Sequence, residues 1–301
     1  MTLKPARFLD PRSDVVFKKI FGQNPDLIKS FLNGILPLDE GRVIETITYL
    51  TPEQSPRIPT MKNTIVDVKC TDQDGRIFIV EMQLHWTRSF QQRLLFGASK
   101  AYVQQLETGQ EYSSLCPVYG LGIINEVFDQ ETEEWFHHYR TVNVKDPAKV
   151  LKGLELVFLE LPKFKPQTFQ HKKVGILWLR FLREINSRMT DIPAEFMENP
   201  EISRAIELAQ ESSYTREELE AYDKYWDAVS VEKTFTADAF HKGKTEGKEE
   251  GEKIGEERGR EEGRQDALFQ VARSLLDKNM SLEDISKITG FSLKQLDNLL
   301  N

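Results

Sequence analysis

The sequence is poor in the residues that form disulfides and membrane spans. Its 301 residues include only two cysteines, Cys70 and Cys116, and no stretch reaches the roughly 20 consecutive apolar residues that cross a bilayer. The two cysteines show no spacing typical of a disulfide framework or a zinc site, so we expect buried free thiols. The first residues also lack the apolar core of a signal peptide. These absences predict a cytoplasmic protein without a membrane segment.

Negative charge exceeds positive charge. The chain has 40 Lys and Arg against 48 Asp and Glu, which gives a net charge of −8 at pH 7. Proteins that hold nucleic acid by general electrostatics are usually basic, so this total argues against strong non-specific binding, although it allows a local basic groove. The five histidines lack zinc-ligand spacing, and no Ser-His-Asp or Cys-His pattern indicates a nucleophilic triad.

Hydrophobic periodicity predicts a mixed α/β domain followed by helices. Ser13 or Asp14 can cap a first helix, and Pro25 suits the first turn of a second. The following elements complete the order α-α-β-β-β-α-β. The predicted strands are 43–50, 64–71, 76–84, 118–125, 135–144 and 154–161. The predicted later helices are 89–107, 174–185, 200–211 and a helix from 216 onward.

The runs 64–71 and 76–84 form a predicted β-hairpin whose register places two acids together. Side chains alternate along a strand, so Glu81 and Gln83 share one face of an otherwise apolar run. If 73–75 form a three-residue loop with Gly75 left-handed, Asp67 lies opposite Glu81. Their Cβ atoms are then about 4.5–5.5 Å apart. A two-residue loop would instead place Val80 opposite Asp67.

Two carboxylates at that separation repel each other unless a proton or a cation lies between them. A hard divalent ion such as Mg²⁺ takes oxygen ligands and resolves the conflict, with the Gln83 amide oxygen as a further donor. The alternative is a set of ordinary polar residues on a solvent-facing side of the hairpin. Ile65, Ile77 and Ile79 on the same face indicate a partly covered surface instead.

Four segments taken in order resemble one nuclease family. They are DVVFKKIFG at 14–22, IVEMQ at 79–83, ELPKF at 160–164 and a tail with glycine at every fourth residue. With Asp67 on the preceding strand, they resemble the PD-(D/E)XK nuclease superfamily and, within it, the Rpn family of recombination-promoting nucleases, also labelled transposases. The resemblance covers most of residues 8–265. It implies a restriction-endonuclease-like α/β core, a central mixed sheet flanked by helices, followed by an α-helical C-terminal region.

The resemblance also implies DNA cleavage with Mg²⁺ or Mn²⁺. Asp67 and Glu81 would be metal ligands. Asp14 would be an additional ligand from the first helix or, on an equal footing, a helix cap. Gln83 stands where the superfamily usually has lysine, and an amide carries no charge and is no base.

A neighbouring cation could supply that missing charge. Lys69 has the right parity on the adjacent strand, and Lys18, Arg93 and Lys100 on helices are further candidates. We therefore predict Lys69 as a catalytic residue beside Asp67, Glu81 and Gln83, and Arg93 as a DNA contact.

The composition changes sharply at Gly243. Glycine recurs at every fourth residue, and Glu, Lys and Arg fill most of the gaps, from Gly243 through Gly263. On a helix these glycines form one stripe, each at a cost of about 1 kcal/mol relative to alanine. Close approach of a second helix could offset that cost, so we expect self-association through the stripe. The alternative is a flexible charged tether.

The last segment resembles the two-helix core of a helix-turn-helix. Gly290 would lie at the turn, and the expected interior residues are Ile285, Ile288, Phe291 and Leu296. The residues expected to face DNA are Ser292, Lys294, Gln295 and Asn298. A protein-binding helical cap is the alternative.

The predicted organisation has four parts: a nuclease core at 1–165, a helical extension at 166–240, the glycine tail at 241–265 and the helix-turn-helix-like segment at 266–301. The predicted function is a metal-dependent DNA endonuclease linked to recombination or mobile elements. A catalytically inactive relative that binds DNA or a protein partner is the second hypothesis, because Gln83 replaces lysine.

Overall fold

The computed structural model describes residues 7–39, 41–54, 64–166, 173–189 and 191–297. Contacts divide the chain into two units, Met1–Asp227 and Ala228–Asn301. The finer four-part organisation stays a prediction. Within the described ranges, no helix combines the length and apolarity that a bilayer crossing requires.

The helices and strands follow the predicted order, apart from the short strand Glu53–Gln54 and the short helix Ala194–Met197, which were not predicted. The helices are α1 (Asp14–Phe21), α2 (Pro25–Ile35), α3 (Arg88–Val103), α4 (Lys173–Glu184), α5 (Ala194–Met197), α6 (Pro200–Ala209), α7 (Arg216–Leu276), α8 (Leu282–Thr289) and α9 (Leu293–Asp297). The strands are β1 (Ile47–Tyr49), β2 (Glu53–Gln54), β3 (Thr64–Ile65), β4 (Val68–Asp72), β5 (Ile77–Gln83), β6 (Val118–Ile124), β7 (Phe136–Asn143) and β8 (Asp146–Glu160).

Six strands form a mixed sheet in the order β1-β4-β5-β6-β8-β7. β5, β6 and β8 are mutually parallel, and the other pairs are antiparallel. Gln83, Ile124 and Glu160 lie side by side in this register, so the carboxyl ends of the three parallel strands meet at one edge. This mixed sheet with flanking helices confirms the predicted fold class.

Apolar side chains cover both faces of the sheet. Phe78 and Val80 on β5 belong to the larger cluster, which joins the sheet to α1, α2, α4 and α6. Ile77 and Ile79, with the opposite parity, pack in a second cluster against α3. Each large apolar side chain buried this way contributes about 1.5–3 kcal/mol. The predicted alternation of β5 is confirmed.

A glycine brings α3 close to the sheet. A Cβ atom added to Gly122 on β6 would lie 2.9 Å from Phe90 Cε1 and 3.0 Å from Phe158 Cδ1. Contacts that short do not occur in real structures, so this position requires glycine for the close approach. The approach places the first turns of α3 beside the carboxyl end of β5.

Several predicted elements differ in extent. The predicted strand 64–71 is divided into β3 and β4, because the chain bends at Asp67. That bend places Val66 in the cluster beneath α3, whereas Val68, two residues further on, packs in the larger cluster. β8 starts earlier than predicted, and the short helix α5 was not predicted. Cys70 is buried as predicted, whereas Cys116 is half-buried; both are free.

The second unit contains most of α7 together with α8 and α9. α7 continues without a break through Gly243 to Gly263, and a Cβ atom added to any of those glycines meets nothing within 4 Å. A small cluster forms further on from Ala272, Ile285, Phe291 and Leu296. The prediction of Ile288 in this interior was wrong. It is 58% exposed, because Ile285 and Thr289, one helical turn apart, occupy the inward face of α8.

Candidate active site

The hairpin of β4 and β5 has the register predicted from its turn. Gly75 has a φ of +77°, and the Asp72 N–H donates to the Arg76 carbonyl at 3.2 Å, so residues 73–75 form a three-residue loop. Val68 pairs with Val80. One step further along both strands stand Asp67 and Glu81, as the sequence predicts.

A buried ion pair holds this turn in place. The Asp72 carboxylate accepts the N–H groups of Asp74 at 3.0 Å and Arg76 at 2.9 Å, and Arg76 Nε lies 2.6 Å from its second oxygen. The side chains of Asp72 and Arg76 are 0% and 2% exposed. Charge-assisted hydrogen bonds shielded from water are strong and directional, so they fix the loop length and with it the register.

Asp67 lies in the bend just before β4. Its Oδ2 accepts the Met82 N–H at 2.8 Å, and Lys18 Nζ from α1 lies 3.7 Å from its Oδ1. Burial raises the pKa of Asp67 to about 6. The Met82 hydrogen bond and Lys18 oppose that rise, whereas the negative charge of Asp14 adds to it.

Glu81 is the more deeply buried acid of the pair, with 5% of its surface exposed. Its Oε1 is buried and has no hydrogen-bond partner among the described residues, and Arg93 Nη2 lies 3.5 Å from Oε2. Burial raises the pKa of Glu81 to about 7; Arg93 lowers this pKa, and the nearby charge of Asp67 raises it. Asp67 therefore lies close enough to Glu81 to disfavour ionisation of Glu81.

Arg93 on α3 is the cation beside Gln83. Its Nη2 donates to Gln83 Oε1 at 2.8 Å, so one guanidinium contacts both Gln83 and Glu81. Lys69 lies opposite Ile79 instead, where burial and then Lys100 lower its pKa. In the described part of the chain Lys69 makes no ion pair with either acid. Its position does not support the predicted catalytic role, and Arg93 is better placed to supply the missing charge.

Asp14 and Lys18 border the site on the side of α1. Ser13 caps this helix by accepting the Val16 N–H, so Asp14 does not serve as the cap. Its Oδ1 lies 2.6 Å from Lys18 Nζ, which also reaches Asp67. Asp14 therefore lies near the acidic pair without a direct contact to Glu81.

Tyr225 on α7 is a site neighbour that no sequence pattern indicated. Burial raises its pKa above the usual range, and Asp14 and Asp67 raise it further, which places the phenol near both acids and keeps it protonated. The chain separates Tyr225 from the hairpin by most of the domain, and local periodicity carries no signal for such a contact.

The donor set fits a hard divalent cation. Asp67 and Glu81 offer carboxylate oxygens, and the partnerless Glu81 Oε1 is a buried acceptor without a donor. The described residues contain no group of three or more His, Cys, Asp or Glu arranged to hold a metal ion. A bound ion would therefore depend on the pair, with water or substrate oxygens completing its coordination.

The C-terminal residues predicted to face DNA lie in the second unit. Lys294 is exposed on α9. Gln295 Oε1 accepts the N–H of Ser292 at 2.9 Å and its hydroxyl at 2.7 Å, so this side chain closes the start of α9. Asn298 lies outside the described residues.

A mixed sheet with helices on both faces, and an acidic pair where parallel strands end, defines the PD-(D/E)XK fold class. The chain belongs to the PD-(D/E)XK nuclease family transposases, whose family model matches residues 11–234. This match confirms the resemblance drawn from the sequence. The matched range includes the acidic pair and the residues described around it, and it ends before the glycine tail. No curated protein and no solved structure matches the chain.

Proposed function

We propose that the protein is a metal-dependent DNA endonuclease that acts in recombination or on mobile DNA, with Asp67 and Glu81 as ligands for Mg²⁺ or Mn²⁺. The observation that carries this proposal is the acidic pair of the hairpin, in which Asp67 is half-buried and the buried Glu81 Oε1 has no hydrogen-bond partner in the described chain. Membership of a nuclease family supports the reaction class. DNA as substrate and the cytoplasm as compartment belong to the same proposal.

A bound divalent cation would lower the pKa of a coordinated water and neutralise charge on the phosphate oxygens. Lys18 and Arg93 neutralise the two carboxylates from opposite sides, one from α1 and one from α3.

Gln83 would position a reactant and would not take up a proton. Its amide oxygen is engaged by Arg93, which leaves the amide N–H groups as donors. Such donors can orient a water or a phosphate oxygen next to Glu81. Arg93 supplies the permanent positive charge that lysine would have supplied at position 83.

A second candidate is a catalytically inactive relative that binds DNA or a protein partner. The observation that favours it is Gln83, which provides neither the charge nor the basicity of lysine. Under this hypothesis the acidic pair would keep its geometry and would support no cleavage.

The deciding experiment incubates supercoiled plasmid with purified protein in Mg²⁺, Mn²⁺ or EDTA. We expect nicking or linearisation with either metal, none in EDTA, and a loss of at least about a hundredfold in Glu81→Ala, since a metal contributes several kcal/mol to such reactions. Glu133→Ala is the matched control, because that carboxylate is 92% exposed. Equal cleavage by Glu81→Ala and wild type would refute this active site. Absence of cleavage with either metal would favour the inactive relative.

A further inference from the structure

A cavity of about 550 Å³ opens in the first unit, and neither acid of the pair lines it. Its walls include Arg7, Arg12 and Arg188, together with Tyr222 and Trp226 from the first turns of α7. Cavities of this size typically hold a small ligand or one unit of a larger one.

Arg12 joins this cavity to the acidic site. Its Nη1 donates to Asn125 Oδ1 at 2.9 Å, and the Asn125 N–H donates to the Gln83 carbonyl at 3.0 Å. Along the chain, Arg12 also stands just before Asp14, which pairs with Lys18 beside Asp67. Each residue spans at most about 3.6 Å, so the cavity and the acidic pair are neighbours at the same edge of the sheet.

The Arg12 guanidinium is oriented before any ligand arrives. Its Nε and Nη2 donate to the two carboxylate oxygens of Asp10 at 2.8 and 2.6 Å, and the Arg12 side chain is 20% exposed. These bonds and the one to Asn125 use three of the five guanidinium N–H groups. The other two remain for a further acceptor, and paired guanidinium donors suit phosphate oxygens.

The remaining walls carry charge of both signs, from Arg188 and Asp223, and an aromatic surface. Arg188 is exposed, and within the described residues its side chain makes no ion pair. Trp226 is half-buried and lines the cavity with its aromatic side chain. Its ring lies 5.5 Å from the ring of Tyr225, the neighbour of Asp14 and Asp67. Aromatic side chains beside arginines commonly stack bases of single-stranded nucleic acid.

We propose that this cavity binds one nucleotide of an unpaired DNA strand next to the bond that is cleaved, with the phosphate on Arg12 and Arg188 and the base against Trp226. The inference rests on the proposed DNA substrate. An unpaired strand is the favoured ligand, because a base in a duplex enters a cavity only after it has been unpaired and unstacked, at a cost of a few kcal/mol.

The test measures binding of a short fluorescein-labelled oligothymidine strand to the full chain by fluorescence anisotropy in EDTA. Arg188→Gln should weaken binding about tenfold and reduce the slope of log affinity against log salt by about one, as expected for a lost phosphate contact. Trp226→Phe should also weaken binding by at least about threefold, because part of the stacking surface is lost. Circular dichroism and melting curves establish that both variants are folded.

Arg140→Gln is the matched control, since Arg140 is exposed on β7, does not line the cavity and carries the same charge. We expect it to change affinity less than twofold. Equal losses in Arg188→Gln and Arg140→Gln would overturn the cavity proposal, because only overall charge would matter. Thymidine monophosphate that competes as well as the strand would identify a free-nucleotide site. Duplex DNA that binds as tightly as the strand would show that no unpaired base is needed. Either result would overturn the proposal.

The binding assay and the plasmid assay separate the two proposals. Strand binding that depends on Arg188 in a protein without nuclease activity would contradict the endonuclease and leave the cavity site in place. Metal-dependent nicking by a protein whose strand binding does not depend on Arg188 or Trp226 would contradict only the cavity proposal.

Discussion

At the scale of single residues, opposed electrostatic effects set the state of the acidic pair. Burial raises the pKa of Asp67 to about 6 and of Glu81 to about 7, while Lys18 and Arg93 lower them. The cations therefore offset only part of the cost of placing two negative charges in a covered site. In the metal-free protein, Glu81 is a group whose ionisation opposes folding.

Glu81→Gln is accordingly expected to stabilise the metal-free protein at pH 8. The pKa of Glu81 is about 7 in the folded state against an ordinary value of 4.5, so between these values the folded state binds more protons than the unfolded state. Wild-type stability should fall as pH rises through that window. The uncharged glutamine avoids this loss, and its free energy of unfolding at pH 8 should exceed that of wild type by roughly 1–3 kcal/mol. Urea unfolding at pH 5 and pH 8 measures the difference.

The response to Mg²⁺ provides the second readout of the same variant. Mg²⁺ should raise the melting temperature of wild type at pH 8, because a ligand that binds only the folded state stabilises it. It should leave Glu81→Gln unchanged. Glu133→Gln, at an exposed position, should behave as wild type in both measurements. A Glu81→Gln protein that responds normally to Mg²⁺ would show that Glu81 is not a ligand.

At the scale of elements, the sequence predicted those features of the fold that local patterns control. The Asp74-Gly75 turn predicted the hairpin loop, and the loop length determined that Asp67 would lie opposite Glu81. Alternation along β5 predicted which of its side chains face each layer. These features depend on neighbours in the chain, which a single sequence displays directly.

The remaining parts of the site depend on packing between distant elements. Parity allowed Lys69 as the replacement cation, but only the close approach of α3 to Gly122 reveals that Arg93 reaches Glu81. The bend at Asp67 likewise interrupts an alternation that the sequence continues. Tyr225 arrives from α7 and carries no local signal of its position.

The hairpin turn should tolerate very little change at its buried carboxylate. Asp72→Asn would leave the buried Arg76 without its counter-charge, and removal of one partner of a buried pair typically costs about 3–5 kcal/mol. Asp74→Asn, in the same loop but 56% exposed, should cost less than about 1 kcal/mol. Chemical denaturation compares the two variants. Equal stability of both would mean that the ion pair does not hold the loop.

At the scale of the whole molecule, self-association through the glycine stripe remains a proposal, and α7 makes it testable. Truncation after Ala239 should reduce the solution mass to that of a single chain, measured by light scattering. Gly247→Ala, Gly251→Ala and Gly255→Ala combined should also reduce association, because added methyl groups hold two helices apart. Within one chain these methyl groups meet only open space and should strengthen the helix by about 1 kcal/mol each. An unchanged mass in both proteins would rule out the stripe as an interface.

Binding of a divalent ion to the intact chain should release protons. With pKa values of about 6 and about 7, Asp67 and Glu81 together retain about one proton near pH 6.5 and almost none at pH 8.5. Ligand carboxylates must be deprotonated, so uptake of one divalent ion should release about one proton at the lower pH. Titration calorimetry in buffers with different ionisation heats counts that proton. A proton release that does not change with pH would contradict the assignment of Asp67 and Glu81 as ligands. Mild acidification alone would then be enough to lower the affinity of the site for the divalent ion.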